Sequence, residues 1–215
     1  MSWLFWCVVA YLAKVARTNA MKYYQELTLI AQAEVSLYVI WSKLYTQLHL
    51  AFVEQKDSQE KIAYGVSFPR YRLSSDKGIG FLGDKLRIFA HSTQELEQLN
   101  LNKWLERLND YVHITAPRET PNNVSHAIYS RAVPKDSVEK RILHQAQRRN
   151  ISITEAATHF KDLVYPPLIE PFISLKSLSG QHIFKLHIKK TLTDEASMGK
   201  FGTYGLSKTV TVPEF

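Results

Sequence analysis

Val35-Ser-Leu-Tyr-Val-Ile-Trp-Ser-Lys-Leu-Tyr-Thr-Gln-Leu-His-Leu-Ala-Phe-Val-Glu54 is the stretch on which the architecture turns. Leu37, Ile40, Leu44, Leu48 and Ala51 recur at three- and four-residue spacing, the stripe of an amphipathic helix. Upstream, Met21–Ile30 alternates around Tyr23, Leu27 and Leu29 and reads as a strand. Downstream, Lys61–Phe68 reads as a second strand, ended by Pro69, and Lys85–Ala90 as a third. Ser92-Thr-Gln-Glu95 has the form of a capping box, so a second helix opens there and is expected to run to about Leu108. Tyr111–Thr115 closes the set as a strand. The order β-α-β-β-α-β predicts an α+β, ferredoxin-like (RRM-like) domain over residues 21–116.

A polar stretch, Pro117–Ser125, reads as a linker. Beyond it a smaller α/β domain is expected over 126–215: a strand at His126–Val133, a basic helix from near Ser137, a shorter helix over Thr154–Leu163, and strands at 172–178, 182–191 and 201–206. The N-terminus stands apart. Trp3–Ala13 is an uninterrupted apolar run of 11 residues, short of the roughly 20 that a spanning helix needs. No positive charge precedes it as in a signal peptide. Residues 1–20 therefore read as an extension outside the fold, upstream sequence translated from a misassigned start, with no membrane segment expected.

The chain of 215 residues carries 27 Lys+Arg against 20 Asp+Glu, a net charge of +7. That balance favours a polyanionic partner, although it also describes many solvated surfaces. The charge is concentrated, because residues 131–149 alone net +4. Within that segment Ser137, Arg141, His144 and Arg148 share one helical face, with Lys140 and Gln147 beside them. Such a face can follow a nucleic-acid groove, or it can simply be solvated. Cys7 is the only cysteine, which excludes an intrachain disulfide and a zinc site of several thiolates, and suits a reducing cytoplasm.

Other chemistry-bearing residues are individually ambiguous. His49 sits at the edge of the apolar stripe, where an imidazole is suited to proton transfer or to a structural hydrogen bond. Ser177-Leu-Ser179-Gly180 offers hydroxyls in a turn, and Phe184 alternates with lysines as a base-stacking or core aromatic. Phe201-Gly-Thr-Tyr204-Gly-Leu-Ser207 sets one phenol between two glycines. The bare G-x-G-x-x-G of Gly78–Gly83 lacks the strand and helix that a nucleotide site needs. No metal-ligand spacing emerges, and no cofactor is expected.

Several segments, in order, resemble one family: Gly65-Val-Ser-Phe-Pro69, Leu82-Gly-Asp-Lys-Leu-Arg-Ile-Phe-Ala90, Trp104-Leu-Glu, Ser130-Arg131, Pro171-Phe172, Ser177-x-Ser179, Gly180-Gln181-His182 and Tyr204-Gly-Leu-Ser-Lys208. Together, over about residues 21–215, they are similar to the type I-F (Csy subtype) CRISPR repeat-RNA endoribonucleases. The resemblance implies a catalytic histidine at His49, a catalytic serine at Ser177 with Ser179 as second choice, and an active-site tyrosine at Tyr204. It likewise implies RNA binding by Arg131, by Lys140, Arg141, His144 and Arg148 of the basic helix, and by Phe184 stacking at the foot of a hairpin. The implied reaction is metal-independent attack by the ribose 2′-hydroxyl, leaving a 2′,3′-cyclic phosphate and a 5′-hydroxyl. The implied partners are the repeat RNA hairpin, the guide RNA and other subunits of the surveillance complex. Two positions depart from the family: Val133 stands where a glutamine partners the arginine, and His144 where the family has a permanently basic residue. The rival expectation is a non-catalytic hairpin-binding subunit of the same fold and charge.

Overall fold

A computed structural model describes residues 21–74, 76–133, 138–161, 168–177 and 180–215. The N-terminal extension, Ser137 and Ser179 lie outside the described residues.

The first sheet contains β1 (Tyr23–Leu29), β2 (Gly65–Ser67), β5 (Lys85–Ala90) and β6 (Val112–Ile114) in the order β2-β5-β1-β6. All its pairings are antiparallel, with Leu27 of β1 opposite Leu86 of β5. Two short strands, β3 (Arg72–Ser74) and β4 (Ile79–Phe81), form a separate hairpin through the glycine-spaced segment. Inside the expected linker, β7 (Arg118–Glu119) pairs with β1, and the Thr120 hydroxyl donates to the Met21 carbonyl. Those residues are thus tied to the first sheet by backbone hydrogen bonds. The second sheet has the order β11-β8-β10-β9, built from β8 (Ser125–Ala132), β9 (Phe172–Lys176), β10 (Ile183–Thr193) and β11 (Val212–Glu214). It too is antiparallel throughout.

Helix α1 (Leu37–Glu54) joins the two sheets, packing against β1 and against β9. Ile40, Trp41, Leu44, Tyr45, Leu48, Ala51 and Phe52 are buried, an inward stripe at the spacing expected from the sequence. Each fully buried leucine or phenylalanine contributes about 1.5–3 kcal/mol of transfer free energy, so this stripe holds α1 firmly to the core. Leu27 and Ile88 of the first sheet and Leu186 and Ile188 of the second meet it in one continuous apolar cluster.

Helix α2 (Thr93–Leu99) starts where the capping box predicts: the Ser92 hydroxyl accepts from the Glu95 N–H, while the Glu95 carboxylate accepts from the His91 N–H. The expected run to Leu108 is interrupted. Asn100 adopts a left-handed conformation (φ 47°), ends α2, and uses its side chain to cap α3 (Leu101–Trp104). Asparagine tolerates this conformation because its short side chain bonds locally. A 3-10 turn at Glu106–Leu108 follows.

Helix α4 (Val138–Arg149) packs on α5 (Ile153–Thr158), and Gln145 hydrogen-bonds His159 across the pair. The stretch expected as a final strand at 201–206 is instead a single bridge, Phe201 to Ile62, followed by a turn. The final strand is β11. Its close approach to β2 requires a glycine, since a Cβ on Gly65 would meet Val212 at 2.5 Å and Phe201 at 2.6 Å.

Candidate functional site

His49 projects from the last third of α1, beside the inward stripe rather than within it, and is half-buried. Its Nδ1 lies 2.9 Å from the Thr203 carbonyl oxygen. A carbonyl only accepts, so Nδ1 carries the proton, and in the neutral ring Nε2 keeps its lone pair. The Tyr204 ring stacks on the imidazole at 4.0 Å between centroids, with 7° between the planes. These two contacts hold the ring by one edge and one face.

The partner of both contacts is a tight turn. The Gly205 N–H donates to the Gly202 carbonyl at 2.8 Å and the Gly202 N–H to the Leu206 carbonyl at 3.0 Å, which closes Gly202–Gly205 and presents Thr203 and Tyr204 outward. Gly205 has φ 70°, and a Cβ there would meet Val66 at 2.5 Å. The turn therefore needs glycine both for its backbone angle and for its seat against β2. A further tie comes from α1: the Tyr45 hydroxyl donates to the Tyr204 carbonyl at 2.8 Å. Burial, and then the neighbouring Tyr204 phenol, push the Tyr45 pKa well above that of an ordinary phenol, so it remains a hydrogen-bond donor. Burial also raises the Tyr204 phenol, with the Arg131 charge opposing. Tyr204 is thus protonated near neutrality.

Arg131 stands near the end of β8 in the second sheet, and its charge acts on the Tyr204 phenol. Its guanidinium lies 5.6 Å from the Phe184 ring centroid, and Phe184 lies 6.0 Å from the His182 ring. Ser177 sits at the mouth of the β9–β10 connection: its N–H donates to the His182 carbonyl at 2.8 Å, and its Oγ accepts from the Gly180 N–H at 3.1 Å. Ring contacts therefore join His49 to Tyr204, and Arg131 to Phe184 and on through His182 to the turn holding Ser177, with the Arg131 charge acting on the Tyr204 phenol.

The remaining basic candidates lie elsewhere. Lys140, Arg141, His144 and Arg148 are exposed on α4, whose one buried residue is Ala146. Val133, just after β8, is 65% exposed and presents no polar group. Among the described residues no three of His, Cys, Asp and Glu converge as a metal ion would require. A cleft of about 880 Å³ between Met21–Tyr23 and Ala196–Gly199 contains none of these candidates.

Two contributors escaped sequence reasoning. The Thr203 carbonyl is a backbone acceptor and leaves no signature in residue identity. Tyr45 did leave one: it lies four residues before His49, hence on a neighbouring part of the same helix surface.

Comparison with known proteins matches the sequence of this chain to a named group. The family model for "CRISPR-associated protein (Cas_Csy4)" matches residues 24–215. A "CRISPR-associated endonuclease Cas6/Csy4" of Pseudomonas aeruginosa (strain UCBPP-PA14) is 34% identical over 197 residues, covering 91% of this chain and 100% of that protein. One of the same description from Escherichia coli (strain UTI89 / UPEC) is 26% identical over 196 residues, with the same coverage of both chains. A solved structure described as "An RAMP protein binding different RNA substrates" aligns with a TM-score of 0.34 at 11% identity, over 89% of this chain and 98% of its own, too weak a likeness to carry an argument. With a match that runs from β1 to the C-terminus, the chain belongs to the Cas_Csy4 family of CRISPR-associated proteins.

Proposed function

We propose that this protein is an RNA endonuclease that cuts CRISPR repeat transcripts at the 3′ foot of the repeat hairpin and keeps the product as guide RNA. The observation that carries the reading is the His49 arrangement: Nδ1 held by the Thr203 carbonyl, one face covered by Tyr204, and Nε2 left as the acceptor. Ribose supplies its own nucleophile. In this mechanism His49 Nε2 takes the 2′-hydroxyl proton, the 2′-oxygen attacks phosphorus in line, and the bond to the 5′-oxygen breaks, that oxygen taking a proton from solvent as the imidazolium returns its own to solvent. The products are a 2′,3′-cyclic phosphate and a 5′-hydroxyl, and no metal enters the scheme. Ser177 positions the 2′-hydroxyl and Tyr204 holds the imidazole. General-base catalysis contributes about 10²–10⁴-fold, and positioning of the bound hairpin contributes more.

Phe184 stacks on the terminal base pair of the stem, while Arg131 reads its edge. The α4 cations Lys140, Arg141 and Arg148, with His144, follow the phosphates, and Val133 leaves one stem pair unread by hydrogen bonding. Residues 21–116 serve as a ferredoxin-like domain and 126–215 as the hairpin-binding domain. The strand order β2-β5-β1-β6, with α1 and α2 between its strands, supports that division. The setting is the cytoplasmic surveillance complex, and among the described residues no helix is long and apolar enough to cross a membrane. The test is incubation of the purified protein with its repeat RNA in EDTA. A discrete product ending in a cyclic phosphate is expected, whereas a gel shift without cleavage would favour a purely binding subunit.

A further inference from the structure

We propose that a basic cleft next to the His49 corner is the track for the single-stranded RNA that continues past the cut site, on its 3′ side. This rests on the hairpin-cleavage reading above. The cleft, of about 860 Å³, lies between α1, the α3–3-10 segment and the edge strand β9 with the start of β10. Two of its lining residues are chain neighbours of the reaction corner, whose own residues His49, Ser177 and Tyr204 do not line it. Thr46, in its wall, is one helical turn before His49 on the same side of α1, and Lys176 directly precedes Ser177.

The chemistry of the walls fits a polyanionic single strand. Lys43, Lys103, Arg107 and Lys176 face Glu54 and Glu106, a surplus of cations. None of those four cations belongs to an ion pair among the described residues. Trp104, partly buried against the core, and Ile183, 75% exposed, add an aromatic and an apolar surface. A cationic groove with an aromatic platform is how single strands are held without regard to sequence. Phe184, Arg131 and the α4 cations do not line this cleft, so the grip on the stem leaves it open. The 3′ flank is favoured over the 5′ flank because it is bonded to the scissile phosphate, and Lys176 and Thr46 of the cleft lie one residue from Ser177 and one helical turn from His49. A protein strand paired to the edge of β9 would fit the apolar surface but not the cationic surplus.

The test uses the full chain and repeat RNAs carrying a 2′-deoxy residue at the cut site, so that binding is read without cleavage. A 3′ flank of about eight nucleotides should bind about tenfold tighter than a single-nucleotide flank. Lys103→Glu with Arg107→Glu should remove that gain and lower the salt slope for the long-flank RNA by about 1.4. Both proteins should cut an unmodified short-flank RNA at the same rate. If the wild type does not cut it, the hairpin-cleavage reading fails. If it cuts but flank length has no effect, or the double variant keeps the gain, the cleft assignment is overturned. Loss of a gain from the 5′ flank instead would also overturn it, as would unchanged RNA binding combined with loss of a co-purifying protein.

Discussion

His49 stands on an 18-residue helix whose inner face is buried in the core, whereas Arg141 and Arg148 stand exposed on a 12-residue helix that leans on α5. The imidazole is held by a carbonyl, a stacked ring and, one step removed, a buried phenol. On α4 one small side chain, Ala146, is buried, and Arg141 and Arg148 are exposed to water. Under the proposed function, this difference is a division of labour. Proton transfer needs a fixed geometry, which packing supplies; phosphate neutralisation needs charge density, which tolerates adjustable side chains.

The largest test of that contrast is His49→Ala. Cleavage should fall by at least about 10²–10⁴-fold while hairpin affinity stays unchanged, measured by single-turnover kinetics beside a gel-shift titration. Arg141→Ala with Arg148→Ala should do the reverse. Affinity should drop about 10- to 100-fold at moderate salt with a shallower salt slope, while the cleavage rate at saturating protein is retained. A large fall in the saturated rate would break the division.

The two glycines of the turn give a sharper comparison. Gly205→Ala forces a Cβ against Val66 at φ 70° and should cost about 1–3 kcal/mol in urea unfolding, together with a loss of cleavage. Gly202→Ala should be nearly neutral, because its nearest heavy atom is the Leu206 carbonyl oxygen at 3.5 Å. Equal effects would mean that the turn is not seated as described. Tyr45→Phe removes one hydrogen bond to the Tyr204 carbonyl, so about 1 kcal/mol of stability and a several-fold slower cut are expected.

The smallest effect concerns the opposite face of the first sheet. Burial alone would raise the Glu26 carboxyl, but hydrogen bonds and charges from Lys85 and Arg87 outweigh it and hold the pKa below its ordinary value. A lowered folded-state value stabilises the fold above the ordinary carboxylate range, and that contribution is lost as pH falls through the lowered value. Melting temperature against pH should therefore decline less steeply on the acid side in Glu26→Gln than in the wild type. Cleavage near neutral pH should not respond, since these residues lie away from His49.

Where sequence reading worked, the information was local. The stripe of α1, the cap at Ser92 and the alternation in β1 are short-range consequences of side-chain period and hydrogen bonding, and each stands within a residue or two of its expected place. The expected helix to Leu108 failed because nothing in its apolar pattern announces that Asn100 turns left-handed. The segment at 201–206 is expected as a strand, yet it makes one bridge, Phe201 to Ile62, among the described residues. Its glycines instead fold it onto β2 and α1.

Residue types and their order determined the secondary-structure sequence, the concentration of positive charge in 131–149 and the identity of the residues worth testing. Tertiary structure alone decided which of them meet. His49 and Tyr204 are 155 positions apart in the chain, and only the packing of α1 between two sheets brings their rings to 4.0 Å. The tautomer of His49 was decided in the same way, by the backbone carbonyl of Thr203. Hydrogen bonds to main-chain oxygens depend on where the chain is, not on which residue supplies it.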